Sequence, residues 1–106
     1  MFFHVVLRHD GPEWDLALPM DEQAKWPEHV AFANGLEASG FVVLGGPLDY
    51  LRVVLAVEAE SEEVVRRTLA EDPWARTHLR VDAIEAWDVL LDSRPGRAGA
   101  VVSSRA

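Results

Sequence analysis

The pattern of apolar and polar positions divides the chain into alternating strand-like and helix-like stretches. Phe2 to His9 (FFHVVLRH) is aromatic and β-branched, which predicts a strand. Asp10-Gly11-Pro12 ends it, and residues 10 to 20 read as a Pro-containing loop. Met20 to Trp26 is expected to make a short helical turn. Pro27 suits the first position of a helix and not its interior, so a helix is expected from Pro27 to Ser39, stopped by Gly40. Phe41 to Leu44 reads as a second strand, broken by Gly45-Gly46-Pro47, and Leu51 to Glu58 as a third. The short link between them predicts an antiparallel pair. Ser61 is placed to cap a second helix running to about Glu71. Glu62 and Glu63 then sit at its positive end, and Val64, Val65, Thr68 and Leu69 form its inward stripe. Asp72-Pro73 breaks that helix, Trp74 to Leu79 is expected to add one helical turn, and Val81 to Leu91 contains a final strand.

The order is β-α-β-β-α-β, the split arrangement of ferredoxin-like folds. The expected class is therefore α+β, with two helices on one face of a four-stranded antiparallel sheet. Both faces of the sheet are apolar. Phe3, Val5 and Leu7 lie on one side of the first strand, and Phe2 and Val6 on the other. In the third strand Leu51, Val53, Leu55 and Val57 oppose Val54 and Ala56. The simplest cover for a second apolar face is another copy of the sheet, which predicts a homodimer. Residues 1–91 are expected to form the domain. Residues 92–106, rich in Gly, Ser, Arg and Ala, are expected to form a flexible tail.

Composition narrows the function. With 106 residues, 49% of them apolar, the chain can bury one real core. It has no cysteine, which removes disulfides, thiolate metal sites and thiol nucleophiles. A net charge of −8 repels phosphate backbones and anionic lipid, so neither nucleic acid nor membrane is an expected partner. No signal peptide and no run of membrane-spanning length is seen, and the expected location is cytoplasmic.

The candidate chemistry sits at two proline-fixed helix boundaries. Trp26-Pro27-Glu28-His29 opens the first helix, and Asp72-Pro73-Trp74 follows the second. His29 shares a stripe with Phe32, Ala33 and Leu36, which points it inward. An inward imidazole can equally be a structural residue bonded to a carbonyl. Asp72 can cap the turn beginning at Pro73, orient His29, or do both, because a carboxylate has several acceptor sites. Trp26 and Trp74 flank the two and are expected to offer apolar walls to a flat ring. Arg8 and His9 stand where the first strand ends, and are added as candidate substrate contacts. His4 is assigned to the first strand, and His78 fits no ligand pattern. The spacing contains no HxH or HExxH, so no metal is expected, and no cofactor motif is present.

These segments resemble the YciI-like (YCII-related) family. The matching stretches are Pro27-Glu28-His29, Leu36-Glu37-Ala38-Ser39-Gly40, Gly45-Gly46-Pro47-Leu48, Val57 to Glu63, and Asp72-Pro73-Trp74. They span roughly residues 1 to 91. The resemblance implies a dimeric α+β barrel of ferredoxin-like subunits and an active site of one His and one Asp, carried here by His29 and Asp72. It also implies small aromatic or cyclic metabolites as substrates. Two departures stand out. Trp26 replaces the Arg that family members often carry three residues before the His, and Asp49-Tyr50-Leu51-Arg52 replaces a Gly common near the third strand. The expected function is cofactor-independent acid–base catalysis of the isomerase, lyase or hydrolase type on a small-molecule substrate. The alternative is a non-catalytic ligand-binding or accessory module.

Overall fold

The computed structural model describes residues 1–95; of the tail expected over residues 92–106, the part from residue 96 onward lies outside them. Strands β1 (Phe2–Arg8), β2 (Val42–Pro47), β3 (Arg52–Glu58) and β4 (Arg80–Trp87) form one sheet in the order β2-β3-β1-β4, every neighbour antiparallel. Helix α1 (Trp26–Ala38) links β1 to β2, and α2 (Glu62–Leu69) links β3 to β4. A single 3-10 turn, Met20–Glu22, precedes α1. This is a small α+β domain with a four-stranded antiparallel sheet and two helices. Among the described residues no helix is long and apolar enough to cross a membrane.

Alternation in β1 sorts the two faces. Phe3, Val5 and Leu7 are buried, while Phe2, His4, Val6 and Arg8 are half-buried on the other side. The buried row meets Val57 of β3, Ile84 of β4, Val65 and Leu69 of α2, and Trp74 and Leu79 beyond α2. The outer row receives the chain beyond β4: the Arg94 guanidinium lies 5.1 Å from the Phe2 ring centre and its Nε donates to Asp92 at 2.9 Å.

The two helices are built differently. Ser61 caps α2, its Oγ accepting from the Val64 N–H at 3.2 Å. Glu62 pairs with Arg66 one turn on. Val65 and Leu69 are then wholly or almost wholly buried, each contributing about 1.5–3 kcal/mol. Helix α1 has no fully buried residue and no side-chain cap. Its N-cap Lys25 takes the left-handed conformation, φ 63°, and the helix therefore starts at Trp26, one residue before the expected Pro27.

Strand β2 also departs from expectation. Gly45-Gly46-Pro47 does not break it; the strand runs through all three. As an edge strand, β2 needs N–H donors on one side only, so Pro47 is tolerated. A Cβ on Gly45 would lie 2.6 Å from a Leu55 methyl, so the missing side chain lets Leu55 lie across the strand. The register shift between Val42 and Leu44 absorbs the irregularity.

Candidate functional site

Asp72 closes α2 and opens the turn that follows. Its N–H donates to the Leu69 carbonyl at 3.2 Å, and its Oδ1 accepts from the Trp74 N–H at 2.8 Å. Pro73 fixes the backbone between. The same carboxylate places both oxygens 2.9 Å from Nδ1 of His29, which is 43 positions away in the chain. Asp72 therefore caps the turn and grips the imidazole at once. The pair is largely withdrawn from solvent, with side-chain exposures of 17% for His29 and 7% for Asp72. A carboxylate accepts hydrogen bonds, so the Nδ1–H donates to it. This leaves the lone pair of the neutral ring on Nε2, which makes no hydrogen bond among the described residues.

Trp74 fixes the plane of the ring. It stacks on His29 with centroids 4.0 Å apart and planes 7° from parallel, and its Nε1–H donates to the Ala24 carbonyl at 2.8 Å. Trp74 is completely buried and does not line the cavity. The expectation that it would stack on a ligand is corrected: it lies against His29 and holds the ring in place. Trp26 does line the cavity, 5.9 Å from the His29 ring centre.

The cavity holds about 520 Å³ and lies between α1 and the sheet, where α1 fails to bury its inward residues. Such a volume suits a small organic ligand. Leu7, Val53, Leu55 and Leu79 give it aliphatic walls, and His9, His29 and Asp72 give it polar ones.

His9 sits just past β1. Its N–H continues the pairing by donating to the Leu51 carbonyl at 2.7 Å, and its Nδ1 lies 3.3 Å from the Tyr50 carbonyl. The ring stacks on Trp14 at 4.4 Å and meets Trp74 edge-on at 5.7 Å. Burial pushes its pKa below the ordinary histidine value, partly offset by the Tyr50 carbonyl. Arg8, one residue earlier, lies on the opposite face of the sheet, where its Nε contacts Asp82 at 3.2 Å. It does not line the cavity. The reason is the two-residue period of a strand, which separates neighbours onto opposite faces.

The expected site omitted two residues of this cluster. His78 is fully buried and stacks on the other side of Trp74, at 5.0 Å and 20°, with Nδ1 2.7 Å from the Thr77 hydroxyl. Burial also pushes its pKa down. Trp14 is buried against His9 and Trp74. The loop carrying it is pinned by the buried Gln23 side chain, which bonds both the N–H and the carbonyl of Asp15. Gly11 brings that loop against residues 77 and 78, since a Cβ there would lie 2.5 Å from the Thr77 carbonyl oxygen. The spacing of four between Trp74 and His78 was a readable signal, because it stacks side chains over one helical turn. Among the described residues no three His, Asp or Glu side chains converge to hold a metal ion. No family model, curated protein or solved structure matches the chain.

Proposed function

We propose that this chain is a YciI-like small-molecule enzyme that moves protons without a cofactor, with His29 as the catalytic base and acid and Asp72 as its positioning partner. One observation carries the reading: Nδ1 of His29 is held 2.9 Å from both Asp72 oxygens while the ring borders a cavity of about 520 Å³. In the proposed step Nε2 takes a proton from a small cyclic or aromatic metabolite. The resulting imidazolium is stabilised by Asp72. The proton then returns at a second position, which gives isomerisation, or stays on His29 while a leaving group departs with its electron pair. The stack on Trp74 keeps the ring from rotating away between the two halves of the reaction.

The architecture belongs to the same proposal. The strand order β2-β3-β1-β4 with α1 and α2 as crossovers supports a ferredoxin-like subunit. The half-buried outer face carries Val6 and Val54 opposite one another, which supports pairing with a second copy into a dimeric α+β barrel. A cytoplasmic setting is proposed on the cysteine-free composition.

The test is exchange and turnover in D2O with a panel of small cyclic compounds bearing weakly acidic C–H bonds. Wild-type protein is expected to exchange or convert at least one compound. His29→Ala should lower that rate by about 10²–10⁴-fold while the protein still melts cooperatively. An unchanged rate in His29→Ala would discard the mechanism. Saturable binding by wild type with neither exchange nor conversion would favour the ligand-binding module instead.

A further inference from the structure

The polar groups of the cavity say what kind of molecule they are built to hold. Among the described residues no Lys or Arg lines it. Asp72 and Glu37 do, and both repel an anion. The N-terminus of α1 does not compensate. Pro27 has no N–H, the Trp26 N–H is bonded to the Gln23 carbonyl at 3.2 Å, and the His29 N–H to the Lys25 carbonyl at 3.0 Å. Glu28 adds a negative charge to the same turn. A carboxylate or phosphate entering this space would lose its water with no cation to replace it.

The two imidazoles have matching roles. The Asp72 carboxylate takes the Nδ1–H of His29, and the Tyr50 carbonyl takes the Nδ1–H of His9. Each neutral ring therefore keeps an acceptor lone pair on Nε2. Both rings contact Trp74, with centres 4.0 Å (His29) and 5.7 Å (His9) from its own. Burial of His9 holds it in the neutral, accepting form. Both residues line the same largely aliphatic space.

We infer that the cavity binds an uncharged, largely apolar ring compound bearing a hydroxyl, and that His9 accepts the hydrogen bond of that hydroxyl while the reacting part of the molecule faces His29. The inference deepens the proposed proton chemistry and rests on it only for the role of His29; His9 becomes the residue that selects and orients the substrate. A neutral hydroxyl gives up less hydration than a charge, and the Nε2 acceptor replaces the bond it loses. An ether or a bare ring leaves that acceptor unpaired, and an anion meets the acids Asp72 and Glu37 with no cation and only neutral side-chain donors such as the Asn34 amide.

The test is a binding series on the full-length wild-type chain with 2-naphthol, 2-methoxynaphthalene and 2-naphthoate, followed by calorimetry and by ¹⁵N spectra of the histidine rings. The three probes share one ring system and differ in donor and charge. The naphthol is expected to bind about tenfold tighter than either of the others and to shift Nε2 of both His9 and His29. His9→Phe keeps a ring against Trp14 and removes the acceptor; it should bring the naphthol to the affinity of the methoxy compound. If that variant does not fold, the wild-type series alone decides. Naphthoate binding as tightly as the naphthol would overturn the inference. So would naphthol binding that leaves the His9 signal unmoved, or no naphthol binding at millimolar concentration. None of these readouts needs turnover. A rate that depends on His29 together with a preference for naphthoate would therefore leave the proton chemistry standing and this inference overturned.

Discussion

Helices α1 and α2 cross the same side of one sheet but use their residues differently. Helix α2 is short, capped by Ser61 and laced by Glu62–Arg66, and it buries Val65 and Leu69. Helix α1 is longer, enters from a left-handed Lys25, and buries nothing completely. What anchors its first turn is the His29–Asp72 bond and the aromatic stack on Trp74. The helix that contributes little to the core thus supplies most of the helical lining of the cavity, to which α2 adds Leu69. Stability and site are divided between two elements, and the division can be attacked from either side.

The largest contrast should come from core truncation. Leu69→Ala is expected to lower unfolding free energy by about 2–5 kcal/mol, since Leu69 is 4% exposed and belongs to the buried core cluster. Phe32→Ala on α1 removes a bulkier but only half-buried side chain that borders existing empty space. It should cost about 1 kcal/mol. Urea titration of the two variants checks this, and equal losses would break the comparison.

Acid sharpens it next. His9 and His78 pack against Trp74, and burial lowers both pKa values from 6.5. Below that value the unfolded chain binds more protons than the folded one, so stability is full above it and falls as pH drops. Melting midpoints should therefore decline from about pH 7 to about pH 5. His78→Phe should make that decline shallower. A variant curve parallel to wild type would show that burial of His78 carries no such linkage.

The helix starts give the smallest effects, opposite in sign. Ser61→Ala should cost about 1 kcal/mol through the lost bond to the Val64 N–H. Lys25→Gly should stabilise by about 0.5 kcal/mol, because glycine adopts φ 63° without steric cost and loses part of that gain to chain entropy. Thermal melts of both variants read the difference.

The same division explains what could be read from residues alone. The start of α2 is written locally, in Ser61 with its following acids, whereas the helix ends at Leu69, two residues before the expected Glu71. The expected strand at Phe41 to Leu44 stopped too early, because the tolerance of Gly45-Gly46-Pro47 depends on β2 being an edge, a fact of tertiary pairing. The start of α1 moved by one residue, because nothing in Lys25 announces a left-handed backbone. Arg8 and His9 were grouped by adjacency, whereas strand alternation sends Arg8 to the other face. The approach of His29 to Asp72 spans 43 positions and has no local code; the proline boundaries and the family resemblance pointed to both residues, and the fold supplies their contact. Trp14 stood in a loop with no periodicity to place it.

The central claim is that Asp72 fixes the His29 ring so that Nε2 keeps the lone pair facing substrate. Long-range ¹H–¹⁵N correlation spectra of the histidine rings test it directly, with His29→Gln to assign the signal. A protonated Nδ1 and an unprotonated Nε2 are expected for the neutral His29 ring, with loss of that preference in Asp72→Ala. A proton on Nε2 in the wild-type protein would contradict it.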